Sequence, residues 1–338
     1  MNQIARRIET IPTSSFSSVM GIGIVSDAFL QLRLYAISEP LEYICLLVYL
    51  GLVSVFLIMI FTGREKSQNH PFNITYILGI FTFVAGSAVL FTRLSESGYI
   101  FVDLPAILLT ISFTTALAFI LLRRLGDGIM DQVEKPYLFL VPFIALFGIS
   151  VLSSQAYSKL GTWHPYLFSI SSASWLLGFA GTIIFMIYTL IKFRDKFLDP
   201  KELEGFYFIY SGIASLAAFS AILILTFYHI NDPTIVSASR YVLMGLYVWA
   251  VAFSALLFYL YFIKFKKGLV EFRHRVSFWG AVFPMGVDSL GSYFISNYIH
   301  IGFLIYFAYF YAFVGILLIV TAFVEILLGI DLPDSRNS

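Results

Sequence analysis

Two carboxyl side chains, Asp27 and Asp288, lie inside long apolar runs of the sequence. Each costs about 2.5–3.5 kcal/mol to hold at the centre of a membrane-spanning helix, and such residues usually face the interior of a helix bundle. The functional interpretation is a proton-responsive element, because two neighbouring carboxyls at matching depth can share a proton. The alternative is a structural carboxyl that bonds to an adjacent helix, with Asp27 reaching towards Arg33.

Redox and metal chemistry have weaker support. A membrane haem needs axial ligands that face each other inside the bundle, whereas the histidines lie at or near the ends of apolar runs. The single cysteine, Cys45, excludes an intramolecular disulfide, and no Cys/His cluster suggests a metal. We therefore predict no cofactor, no metal site and no enzyme, and a membrane redox subunit is the least favoured class. The histidines are His70, His164, His229, His274 and His300.

The composition of the 338 residues places these side chains in a membrane protein: 59% are hydrophobic, 18% aromatic and 12% charged. Soluble domains carry about 25% charged residues, and one soluble core would not bury this much apolar surface. A net charge of +1 argues against a nucleic-acid partner.

Ten apolar runs are long enough to cross the bilayer, which takes roughly 20 residues each. They predict one transmembrane domain over 14–329, between short segments at 1–13 and 330–338. The first run has no small-residue cleavage pattern after it, so we interpret it as a retained helix. The runs are 14–36, 39–62, 72–93, 100–124, 137–158, 166–193, 203–230, 237–263, 276–298 and 301–329.

The basic residues predict the orientation. Of the 21 lysines and arginines, 17 fall on the side that holds both termini. Short cytoplasmic loops carry the excess of Lys and Arg. Both termini are therefore predicted to be cytoplasmic, in a multi-pass protein of the cell membrane.

The odd-numbered runs are rich in small residues, and two of them contain the prolines Pro142 and Pro284. Proline frees a backbone carbonyl, which is tolerated at depth where protein or a water-filled cavity satisfies it. We predict an all-α membrane fold of five hairpins, with odd helices inside and even helices towards lipid. The small residues either leave room for a conduit or permit close packing. The glycines predicted to line a conduit are Gly21, Gly23, Gly86, Gly148 and Gly212.

Two segments resemble known motifs. FSSVMGIGIVS at 16–26 resembles the first-helix signature of the tellurite-resistance/dicarboxylate transporter family, and FWGAVFPMG at 278–286 resembles its ninth-helix motif. That family includes plant slow-type anion channels, malate permeases and sulfite exporters. The layout of ten spans extends the resemblance over essentially the whole chain.

The resemblance implies a pore of five odd helices, kinked at Pro142, Pro284 and Gly286 and closed by an aromatic ring. Phe283 matches the position of that ring, although by position alone it is one packed aromatic among 36 Phe. The implied function is transport or channelling of small anions: C4-dicarboxylate, tellurite, sulfite, nitrate or chloride. Trimers occur in the family, so a homotrimer is also implied.

The chain departs from the family pattern at two positions. Ile22 replaces a common threonine between two glycines, and Asp288 places an acid near the expected gate. An ionised Asp288 would repel an anion, which favours either a protonated Asp288 or a side chain turned away from the pore. On an unbroken helix, Phe283 and Asp288 are about 140° apart.

A second interpretation within transport is a proton-coupled anion symporter or exporter that uses Asp27 and Asp288. No buried cation is apparent on the odd runs, and weak binding of the anion suits conduction, because an ion must leave as easily as it enters.

Overall fold

A computed structural model describes residues 13–61, 74–124, 136–192, 203–268 and 275–327 of the chain. In those ranges the regular secondary structure is helical, with ten α-helices numbered α1 to α10. The prediction of an all-α membrane protein is confirmed at this level. The helices are Ser17–Gln31, Tyr35–Phe61, Ile74–Glu96, Asp103–Arg124, Val141–Tyr157, His164–Lys192, Ile209–Phe227, Pro233–Lys266, Arg275–Ile299 and Leu304–Leu327.

Eight of these described helices are long and apolar enough to cross a membrane. The other two are α1 and α9, which carry Asp27 and Asp288 among several serines and glycines. The α-helical part of α1 has only 15 residues, whereas in α9 the polar and small residues lower the hydropathy. Both are nonetheless enclosed by other helices, because almost every described side chain of α1 is buried, as are those from Trp279 to Ser292 in α9.

The odd-numbered helices contact one another in a closed order. α1 packs against α3 and α9, α5 packs against α3 and α7, and α7 packs against α9. In α3, α5 and α7, 78% to 89% of the most apolar stretch is buried, against 22% to 33% in the even-numbered helices. Apolar faces left open on the even helices suit contact with lipid rather than water.

Each odd helix also packs against the even helix that follows it. Four of these five connections turn at a residue with positive φ, namely Arg33, Gly98, His229 and His300. A residue in this left-handed conformation just past a helix end lets the backbone N–H groups reach back to the last carbonyls. After α1, for example, the N–H of Leu34 donates to the carbonyl of Phe29 at 2.8 Å.

The prolines differ from their predicted places in the helices. Residues Pro136–Leu140 form a 3-10 helix, and α5 begins at Val141, so Pro142 lies in the first turn. A proline there lacks only an N–H that has no partner within the helix anyway. The position at which a kink was predicted, Pro142, is thus the junction between the 3-10 helix and α5 and not the middle of a helix. Pro284 does lie inside α9, and Pro40 lies inside α2, so mid-helix prolines are not confined to odd helices.

Candidate functional site

A narrow cavity lies between the odd-numbered helices. Its volume is about 20 Å³, which is room for about one water molecule. Every lining residue belongs to α1, α3, α5, α7 or α9, and all five helices contribute. The lining residues are Ile24, Asp27, Ala85, Ala88, Val89, Thr92, Ile144, Gly148, Val151, Leu216, Phe219 and Phe283.

Phe283 is the one residue of α9 among those that line the cavity. Its side chain is 3% exposed. The next residue, Pro284, cannot donate the backbone hydrogen bond to the carbonyl of Gly280 one turn earlier. Phe283 therefore fills space on the cavity side of α9 at the point where the hydrogen-bond ladder of the helix is interrupted.

Glycines let α9 approach its neighbours closely on either side of Phe283. A Cβ atom added at Gly21 of α1 would lie 2.8 Å from Val282 Cγ1, and one added at Gly212 of α7 would lie 2.8 Å from Pro284 Cα. A Cβ atom at Gly286 would lie 2.5 Å from Ile24 Cγ2 of α1. Because such contacts leave no space for a methyl group, α9 is held tightly between α1 and α7.

Of the five glycines predicted to line a conduit, one lines the cavity and the other four lie at contacts between helices. Gly148 lines the cavity, and a Cβ atom there would lie 2.9 Å from that of Ala88. Gly21 and Gly212 lie at the contacts with α9. A Cβ atom at Gly23 would meet Val89 at 2.7 Å, and one at Gly86 would meet the Phe16 carbonyl at 3.2 Å. These four glycines serve close packing between helices, which is the other use expected of small residues.

Asp27 lines the cavity and is 2% exposed. Its Oδ1 atom lies 3.7 Å from Nε of Arg93 and has no hydrogen-bond partner in the described part of the chain. The cation beside Asp27 is thus Arg93 of α3 and not the Arg33 of the structural alternative. The carboxyls of Glu96 and Glu42 also lie near Asp27. An unsatisfied buried oxygen at a cavity wall is a site where a proton or a water molecule can be gained.

Arg93 is a fully buried cation, 1% exposed. Its guanidinium donates hydrogen bonds to the hydroxyls of Ser26 at 3.0 Å, Ser38 at 3.0 Å and Ser97 at 2.7 Å. It also forms an ion pair of 2.8 Å with the Glu42 carboxylate of α2. The expectation that the odd helices carry no buried cation is therefore wrong. Because most of its donors are already used, Arg93 holds α1, α2 and α3 together and presents little free capacity to an anion.

The C-terminal ends of α1, α3 and α5 meet around a second carboxyl, Glu96. Its Oε1 atom accepts hydrogen bonds from Gln155 at 2.7 Å and from Gln31 at 3.4 Å. Lys159, just past α5, donates to the Ser95 carbonyl at 2.7 Å. The end of the cavity near Asp27 is therefore polar and holds several acids.

Asp288 is 1% exposed but is absent from the cavity wall. Its carboxylate accepts hydrogen bonds from Ser215 at 2.6 Å, Ser254 at 2.8 Å and Ser211 at 3.1 Å. These serines belong to α7 and α8, so the carboxyl points away from the side of α9 that carries Phe283. In the described chain, no polar contact joins Asp288 to Asp27.

Sequence reasoning missed several residues of this site. Phe219 and Thr92 line the cavity beside the predicted residues, and no motif marks them. Arg93, Glu96 and Ser97 are spaced by three and four residues, which places them on one face of a helix. That spacing is a usable signal, although Arg93 is the last residue of the predicted run 72–93 and the sequence does not reveal its partners.

Comparisons with known proteins give a family. The profile described as "SLAC1: Voltage-dependent anion channel" matches residues 10–327, which includes every described residue of the cavity and confirms the resemblance drawn from the two motifs. No curated protein matches the chain. The match covers nearly the whole sequence. The family consists of channels and transporters of anions rather than enzymes. This chain belongs to the SLAC1 family of voltage-dependent anion channels.

Proposed function

We propose that the chain conducts small anions across the cell membrane along the axis enclosed by α1, α3, α5, α7 and α9, with the Phe283 ring closing the path. The observation that carries this proposal is the cavity to which all five odd helices, and only those among the described helices, contribute lining residues. The cavity holds about one water molecule, so the described conformation would be closed.

The proposed arrangement is five hairpins with the even helices towards lipid and both termini in the cytoplasm. With this orientation, Asp27 and Glu96, the acids in the C-terminal parts of α1 and α3, lie towards the outside. Most lining residues are apolar, and Arg93 already donates to three serines and pairs with Glu42. Weak attraction for the anion follows, which suits rapid passage. The candidate substrates are chloride, nitrate, sulfite, tellurite and C4-dicarboxylates.

The test of this function is anion flux in reconstituted vesicles. Phe283→Ala should raise flux about tenfold, which corresponds to about 1.4 kcal/mol of barrier, because it removes the ring from the cavity. The assay should include chloride, nitrate, sulfite and malate, each at an acidic and a neutral pH.

A matched control for this experiment is Phe147→Ala. Phe147 of α5 is also fully buried, but its ring lies against Gly178 of α6 and not in the cavity. The Phe147→Ala substitution therefore removes a packed ring of the same size without opening the proposed path. Native-like flux from a folded Phe283→Ala protein, or equal increases from both variants, would count against the gate.

A second candidate function is proton-coupled anion transport through Asp27. The observation that favours it is the Asp27 carboxyl at the cavity wall, with Oδ1 unsatisfied in the described chain. A proton taken up there would neutralise a negative charge on the path of the anion. This candidate requires flux that depends on pH in the native protein and loses that dependence in Asp27→Asn.

A further inference from the structure

We infer that Asp288 is a gate-positioning residue: its bonds to serines of α7 and α8 fix the rotation of α9 that points Phe283 into the cavity. This inference rests on the proposed function, since it assigns to Asp288 a role in the gate formed by Phe283. Asp288 does not reach the path itself and acts only through α9.

The first step of the argument is the break in the α9 ladder. Pro284 donates no backbone hydrogen bond, and its ring disfavours a close carbonyl at position 280. One link of the ladder is therefore missing in this turn, while α9 remains a single helix from Arg275 to Ile299. Contacts with neighbouring helices must then set the orientation of this stretch.

The second step is the set of contacts that supply this orientation. Within one turn after Pro284, Asp288 receives hydrogen bonds from Ser211 and Ser215 of α7 and from Ser254 of α8. A carboxylate that accepts three hydroxyl groups from two helices restrains rotation in a way that apolar contacts do not, because hydrogen bonds are directional. We call these four residues the serine clamp.

The third step is the relation of the serine clamp to Phe283. Five residues advance a helix by about 500°, so the two side chains point about 140° apart. When the clamp holds Asp288 towards α7 and α8, Phe283 is directed to the opposite side, where the cavity lies. Between the two residues, Gly212 packs against Pro284 Cα, so α7 contacts α9 both at the proline and at the clamp.

The experiment is a double-mutant cycle in chloride-loaded vesicles with Asp288→Ala, Phe283→Ala and the double variant. Asp288→Ala should raise flux roughly fivefold, because the loss of all three bonds of the clamp shifts the gate equilibrium by at least the net value of one ordinary hydrogen bond. In the Phe283→Ala background the same substitution should change flux by less than about twofold, because there is no longer a ring to position.

Two milder variants keep the test usable where Asp288→Ala folds poorly. Ser215→Ala removes the shortest bond of the clamp and should raise flux by a smaller factor, again only when Phe283 is present. Asp288→Asn retains one acceptor oxygen and should raise flux less than Asp288→Ala. A general loss of packing would instead alter flux whether or not Phe283 is present.

The outcomes separate the two claims. Suppose that Phe283→Ala raises flux and that Asp288→Ala raises it by the same factor in the native and in the Phe283→Ala backgrounds. The role of the serine clamp is then overturned, and the proposed gate stands. If Asp288→Ala and Ser215→Ala leave chloride flux at the native level in folded protein, the clamp is also overturned. If Phe283→Ala itself has no effect, the gate fails, and the role of Asp288 fails with it.

Discussion

Asp27 and Asp288 are two buried acids on neighbouring helices of the bundle, 2% and 1% exposed. Asp27 faces the cavity and lies near a buried arginine. Asp288 faces away from the cavity and accepts bonds from three serines. The burial of the two carboxyls is therefore compensated differently. Asp27 lies beside the cation of Arg93, which also bonds to serines and to Glu42, whereas Asp288 accepts bonds from neutral hydroxyl groups.

This difference shows that burial of an acid within the bundle does not determine its relation to the cavity. The rotation of the helix decides which acid faces the cavity. A carboxyl held by neutral donors can serve the architecture of the proposed gate, whereas a carboxyl at the cavity wall can change the charge along the proposed path. The following predictions test this contrast from the largest expected effect to the smallest.

The largest effect is expected from Arg93→Ala. Removal of the cation leaves Asp27 and Glu42 buried without a counter-charge, and breaking a buried ion pair on one side typically costs about 3–5 kcal/mol. Unfolding in detergent should show this loss, and acidification should recover part of it, since neutral carboxyls tolerate burial without a cation. The exposed Arg240→Ala is the control, with a change below about 0.5 kcal/mol. Equal stability of the two variants would contradict the assignment of Arg93 as the centre of this cluster.

The sequence predicts the membrane class, the number of helices and the family, because hydropathy, length and two motifs are local signals. It does not predict the partner of Asp27, since Arg93 lies 66 positions later in the chain and only packing of α1 against α3 brings them together. Pro142 lies in the first turn of α5 and not at mid-helix, because the sequence alone does not distinguish the first turn of a helix from its middle. Which glycines line the cavity depends on helix rotation, and that is a tertiary property.

The next effect concerns the pH dependence of flux. If a proton is gained at the cavity wall, Asp27→Asn should remove most of the difference in flux between acidic and neutral pH, while Asp288→Asn should retain it. The physical reason is that only Asp27 lies where its charge faces the cavity. Flux into vesicles measured at both pH values checks this. Loss of the dependence in Asp288→Asn alone would reverse the roles of the two acids.

The smallest effect separates the two polar networks by single hydroxyl groups. Ser254→Ala removes one of three donors to Asp288 and should lower stability by about 1 kcal/mol, the usual net value of one hydrogen bond. Ser26→Ala should cost more, about 1–3 kcal/mol, because it leaves Nε of the buried Arg93 without its acceptor at 3.0 Å. Ser54→Ala on the exposed face of α2, where the hydroxyl bonds to the Leu50 carbonyl of the same helix, should be nearly neutral. Unfolding of the three variants in one detergent gives the order. If Ser254→Ala proves the most destabilising of the three, the serine hydroxyl groups around Asp288 contribute more to stability than the bonds of Arg93 near Asp27, which contradicts the predicted order.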